Sequence, residues 1–200
     1  MVRRAKQLHP GIEFHEGDAE ELQQYQDECF DAIGMNFGII HLGQPENALK
    51  SAFRVLKPGG RMAFTAWCNP KEAIGFSIVL RAVEMFGNPR VELPPAPPLF
   101  FYSEPENCKN SLIQSGFANP NIQVINQIWE LHTPDELFEA FLKGTARTAG
   151  LLKGQSPEQL ASIRKAIRES LSDFRCDGKI ALPMPALVAW GTNSALQLRS

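Results

Sequence analysis

Residues 30–67 constrain the fold of this chain more than any other stretch. They read F-D-A-I-G-M-N-F-G-I-I-H-L, then a helical run over 45–56, then K-P-G-G, then R-M-A-F-T-A-W. Ala48, Leu49, Ala52, Phe53, Val55 and Leu56 recur at helix spacing, so the middle run is an amphipathic helix between two apolar strands. Pro45 suits its first turn, and Pro58 with Gly59 and Gly60 stops it. Two strands joined through a helix run parallel, with a right-handed crossover. Strands this continuously apolar are covered on both faces, so the fold class is α/β. In open parallel sheets, ligands gather at the carboxyl ends of the strands, which makes residues 35–37 and 66–67 candidates for a site.

The rest of the chain supplies the flanks. Residues 1–9 read as a helix ended by Pro10-Gly11, and 12–15 as a short strand before the loop G-D-A-E-E-L. A helix is expected over 69–87, then a stiff extended loop with five prolines over 89–101. Capping-box spacings at Ser103/Glu106, Thr133/Glu136 and Ser156/Gln159 open three further helices. Residues 122–131 alternate as a strand. Asp177-Gly178 is a turn into a final strand over 180–192, whose Pro183 and Pro185 place its first half at an edge or bulge.

Composition narrows the partners. With 200 residues the chain can bury one sizeable core, and its formal net charge of -2 argues against nucleic acid or an anionic membrane as partner. No apolar run reaches the ~20 residues of a membrane helix. The four cysteines are scattered, with no C-x-x-C and no histidine cluster, so they read as free thiols of a cytoplasmic protein and no metal is indicated.

Several segments in order carry a resemblance. G-D-A-E-E-L at 17–22, the 30–42 run, R-V-L-K-P-G-G-R at 54–61, S-E-P-E-N before L-I-Q-S-G-F at 112–117, and D-G-K-I-A-L-P-M-P-A-L-V-A-W-G at 177–191 resemble class I S-adenosylmethionine-dependent methyltransferases. The group concerned is the ubiquinone/menaquinone-biosynthesis-like one. That resemblance implies a Rossmann-like sheet with an antiparallel last strand beside strand five, and helical lid insertions. Residues 12–15, 30–36, 61–67, 122–131 and 180–192 would be strands three to seven of a single domain, with lid segments at 68–121 and 133–176. It implies S-adenosylmethionine as cofactor, with Asp18 on the adenine amino group, Ala19 beside the ring, and Asn36 and Phe37 bordering the methionine moiety. The function implied is methyl transfer to a small apolar or aromatic acceptor.

The family's acidic–x-G-x-G-x-G loop does not occur in this sequence. The resemblance sets Met1 where the second helix would begin, so an N-terminally truncated sheet and impaired cofactor binding are expected. The alternative is a non-catalytic methyltransferase-like domain that self-associates through the strand at 30–36, exposing Ile33, Met35 and Phe37. Among side chains, His41 is the candidate general base, since an imidazole exchanges a proton near neutral pH; capping or packing is its plainer role. Phe100, Phe101 and Tyr102 are candidate walls of a substrate pocket, or else core beneath the proline-rich loop. Asp18 likewise has a plainer role, capping the turn it begins.

Overall fold

The computed structural model describes residues 1–194. Its elements are α1 (Val2–Leu8), β1 (Phe30–Met35), α2 (Pro45–Val55), β2 (Leu56–Trp67), α3 (Ile74–Phe86), α4 (Pro105–Gln114), β3 (Ala118–Ile125), β4 (Ile128–Leu131), α5 (Pro134–Gly144), α6 (Arg147–Lys153), α7 (Pro157–Ser170), β5 (Arg175–Cys176), β6 (Lys179–Pro183) and β7 (Ala186–Thr192). The unit expected at 30–67 is present: β1 and β2 are parallel and joined through α2. The main sheet has the order β1-β2-β7-β3, with β7 antiparallel to both neighbours. The antiparallel last strand therefore lies beside β2, as the resemblance implied.

Two expected strands are each divided. The 122–131 run breaks between β3 and β4, and the 180–192 run breaks between β6 and β7, so that β4, β6 and β5 form a second sheet. Both breaks fall side by side, where the Met184 N–H donates to the Gln127 carbonyl at 2.9 Å. Pro183 and Pro185 flank this point, each without an N–H to give a ladder. β6 is accordingly the central strand of the small sheet, not an edge, and its prolines mark where the chain changes sheets.

The strand expected at 12–15 does not form. Those residues join no ladder, Ile12 is exposed, and α1 before them buries none of its residues. A strand exists only through its partner's hydrogen bonds, and no described strand lies beside this segment. Residues 18–28 are instead a loop sewn onto α2. Arg54 donates to the carbonyls of Tyr25 and Leu22 and to Asp27, Ser51 Oγ donates to the Glu20 carbonyl, and Glu20 Oε1 accepts from the Gln44 N–H. Of the three capping boxes, only the one at Ser156 closes reciprocally with Gln159. Ser103 Oγ donates back to the Phe100 carbonyl, and helix α4 is capped by Glu104 without a side-chain bond.

Two apolar cores result. One lies under the main sheet, where Met62, Phe64, Ala66, Leu187 and Ala189 meet Leu49 and Ala52 of α2 and Cys108 and Leu112 of α4. The other fills a cap of α3, α5, α6, α7 and the small sheet, around Phe76, Val79, Leu137, Phe141, Leu152, Ile163 and Ile180. A charge cluster pins α5 to α7: Asp135 accepts from Arg168 and Arg164, and Arg164 also lies 5.0 Å from the Phe138 ring centre. The hydrogen bonds from Arg168, then those from Arg164, hold the Asp135 carboxyl down at about 2. Cap and sheet meet at Trp67, the last residue of β2.

Candidate active site

The carboxyl ends of β1 and β2 open into a cavity of about 480 Å³ between sheet and cap, the position the parallel pair predicts. One wall is the chain leaving β1 (Phe37, Ile40, His41), and Trp67 forms the floor. Phe76 of α3, Trp129 of β4 and Phe141 of α5 complete an aromatic lining, while Leu99 closes it from the proline-rich loop. The rings are mutually packed: Trp67 stands edge-on to Trp129 at 5.5 Å between centroids, and Phe76 edge-on to Phe141 at 4.8 Å. Such contacts fix the walls before any ligand arrives.

Phe37 is held in a strained backbone conformation. Its φ is +51°, the left-handed region that a bulky side chain rarely adopts. Thr65 near the carboxyl end of β2 holds it: Thr65 Oγ1 accepts from the Phe37 N–H at 2.8 Å and donates to Asn36 Oδ1 at 2.8 Å. The clamp lays the Phe37 ring on Trp67 at 4.2 Å and 21° between planes. Backbone strain of this kind costs about 1–3 kcal/mol and concentrates at functional positions.

His41 ends a short 3-10 turn, residues 39–41, at the cavity mouth. Partial burial, and then the nearby Arg147 charge, lower its pKa from the usual imidazole value, so it is neutral at pH 7. Asn36 spends its carbonyl oxygen on Thr65, which leaves its amide N–H groups as what it can offer a ligand. Asp18 is exposed and does not line the cavity. Its Oδ1 accepts from the Glu20 N–H at 2.8 Å, the turn-capping role, and Ala19 sits half-buried within that turn. Phe100, Phe101 and Tyr102 do not line the cavity either. Phe100 packs edge-on to Phe76 from behind, Tyr102 is buried against Phe64, and Phe101 packs on Tyr102. They support walls instead of forming them.

Trp129, Phe141, Arg147 and Thr148 line the cavity without having been singled out in the sequence. Helical and strand spacing mark such residues as inward-facing. The spacing is the same for a residue that fills a core and for one that borders a gap. Among the described residues no cluster of His, Cys, Asp or Glu could hold a metal ion, and no helix is long and apolar enough to cross a membrane. Burial pushes the Cys68 thiol up to about 11 and the Cys108 thiol up to about 12, so neither is a nucleophile at neutral pH.

Comparison with known proteins agrees with this architecture. Residues 1–64 match the methyltransferase-domain family. The demethylmenaquinone methyltransferase of Streptomyces avermitilis is 36% identical over 70 residues, which are 35% of this chain and 30% of that protein. The ubiquinone/menaquinone biosynthesis C-methyltransferase UbiE of Bartonella tribocorum is 45% identical over 62 residues, 31% of this chain and 24% of that one. The chain thus matches less than a third of the length of these relatives. In fold, a protein of Bacillus halodurans C-125 described as a methyltransferase superposes with a TM-score of 0.56 at 15% identity, covering 96% of this chain and 78% of its own. Over residues 1–64 the chain is thus similar to methyltransferase domains, those of the ubiquinone/menaquinone-biosynthesis group among them, and over nearly its whole length it shares the fold of the Bacillus halodurans protein.

Proposed function

We propose that this chain serves methyl transfer from S-adenosylmethionine to a small apolar or aromatic acceptor in the cytoplasm, with the acceptor lying in the cavity over Trp67. The observation that carries this reading is the aromatic cavity at the carboxyl ends of the parallel strand pair. Its volume suits one small ring system, and its lining is mostly apolar, with His41, Lys143, Thr145, Arg147 and Thr148 as its polar members. The residues present fit parts of the cofactor. The exposed Asp18 carboxylate can accept from the adenine amino group beside Ala19, and Asn36 offers amide N–H groups next to the apolar face of Phe37. When bound, the cofactor supplies an activated methyl group on a sulfonium. The protein's own part is to orient the acceptor between stacked rings, exclude water beneath the cap, and take up the proton that the acceptor loses. His41, which lines the cavity and whose pKa is lowered by partial burial and the Arg147 charge, would receive that proton.

Calorimetry with S-adenosylhomocysteine, together with quenching of tryptophan fluorescence by 2-methoxynaphthalene, tests the reading. Saturable binding of the naphthalene is expected, and only weak binding of S-adenosylhomocysteine, because the sequence carries no acidic–x-G-x-G-x-G loop. Phe37→Ala should weaken the naphthalene probe by about tenfold, since a stacked ring is worth about 0.5–1.5 kcal/mol beyond its buried area. Saturable quenching unchanged in that variant would remove the cavity from the reading.

The pH profile of transfer gives an independent check on His41. A base must be unprotonated, so the rate should be full above the lowered pKa and fall as pH drops through it. The acid limb should therefore lie below about pH 6.5, the ordinary histidine value. Arg147→Gln removes one cause of the lowering and should move that limb to higher pH, whereas His41→Asn should abolish it. A limb unmoved by His41→Asn would show that another group takes the proton.

A second reading, a non-catalytic domain that pairs with its own copy, is favoured by one observation. β1 is hydrogen-bonded to β2 alone, so its outer edge carries no strand among the described residues.

A further inference from the structure

We infer that the acceptor carries an acidic group beside its aromatic ring, and that Arg147 is the residue that selects it. This rests on the reading of the cavity as an acceptor site. The cavity's lining contains His41, Lys143 and Arg147 but no carboxylate. Lys143 is already paired, at 2.9 Å, with Glu139 one turn away on α5. Arg147 is different. Its guanidinium donates to the Pro97 carbonyl, an uncharged acceptor, and none of the ion pairs among the described residues includes it. A half-buried guanidinium has five donors and is costly to leave without an anionic partner in apolar surroundings.

The position of Arg147 fits a recognition role. It borders the aromatic cavity and also a smaller hollow of about 170 Å³ under the proline-rich loop, lined by His41, Leu93, Pro94, Pro95, Ala96 and Ala146. A ligand ring stacked near Phe37 and Trp67 would therefore point its substituent toward the junction of the two spaces, where Arg147 stands. Next in the chain, Thr148 also lines the cavity. It is 2% exposed, and its hydroxyl has no hydrogen-bond partner among the described residues. Buried hydroxyls are ordinarily satisfied, so this one marks a polar demand beside the guanidinium that the protein does not meet. An oxyanion on a planar ring answers both groups, and guanidinium forks pair with carboxylates in two parallel bonds.

The experiment compares two probes of one shape, 2-naphthoate and 2-naphthamide, by quenching of tryptophan fluorescence on the whole chain. The carboxylate should bind about tenfold or more tightly than the amide, as a charge-assisted hydrogen bond exceeds a neutral one. Arg147→Gln should erase that ratio while leaving the amide's affinity within about twofold, and Arg147→Lys should restore only part of it. If the glutamine variant does not fold, raised ionic strength on the unaltered protein should shrink the ratio instead. Equal binding of the two probes by the unaltered protein overturns the role of Arg147 and leaves the aromatic cavity standing. Binding of neither probe overturns the cavity reading itself. A ratio unchanged in Arg147→Gln but lost in Lys143→Gln would transfer the selection to Lys143 and refute the assignment.

Discussion

Phe141→Ala should destabilise the protein by about 3–5 kcal/mol, the range for emptying a buried aromatic site. The Phe141 ring is 1% exposed, lies edge-on to Phe76 at 4.8 Å and tilts against Trp129 at 6.4 Å between centroids. Its position makes the loss hard to recover. On one side it is packed in the cap core with Phe76 and Trp129, and on the other it faces the open cavity, so removing it joins a new void to an existing one. Collapse of α5 to fill the gap is opposed by the Asp135–Arg164–Arg168 cluster, which fixes that helix to α7. Denaturant unfolding followed by tryptophan fluorescence gives the number. A loss under about 1 kcal/mol would mean that the cap contributes little to the cooperative unit, because core truncations of this type otherwise cost several times more. Phe37→Ala is the contrasting case. Its ring is only half-buried and its backbone is held at positive φ, so truncation there should cost binding more than stability.

The difference between those two phenylalanines marks what the sequence could tell. The stripe of Ala48, Leu49, Ala52 and Val55 described α2 correctly because an apolar face repeating every 3.6 residues has one solution, burial against the sheet. The apolar runs either side of it had to be parallel strands, and the place where they end is where the cavity lies. The short segment at 12–15 misled for the opposite reason: alternation is a property of one segment, whereas a strand requires a neighbour. The proline positions 183 and 185 were legible as an interruption but not as a change of sheet, since a proline reports the missing donor and not where the chain goes next. The site was less legible than the fold. The adjacent Phe100, Phe101 and Tyr102 suggested a pocket by their clustering, yet Tyr102 lies beneath Phe64 and the pocket is drawn from β2, α3, β4, α5, α6 and two loops. Arg147 carried no sequence signal, because only the absence of a carboxylate around it gives it meaning.

Self-association through β1 is the other large expected effect. Among the described residues β1 is hydrogen-bonded on one side only, which leaves a row of backbone donors and acceptors able to template another strand. The apolar side chains expected to be exposed there are arranged differently. Ile33 and Met35 turn to the covered face and pack against the core under the sheet, and Phe37 turns into the cavity. What β1 presents outward is Ala32 and Gly34, small residues that do not obstruct a second backbone. On the same open face the exposed Gly34 is in register with Ala63, and Ala63 with Trp190, while Thr65 faces Val188, the last four only partly buried. A flat, weakly polar surface continuous with an unpaired edge fits a second copy of this chain better than it fits water. Sedimentation at several concentrations should show a reversible dimer. Ala32→Lys with Gly34→Lys should return it to monomer, because charges on an edge oppose pairing, and a Cβ at Gly34 meets nothing within 4 Å. A protein that is monomeric at every concentration, with slow amide exchange along residues 30–35, would show that the edge is protected without a second copy, and the dimer would be ruled out.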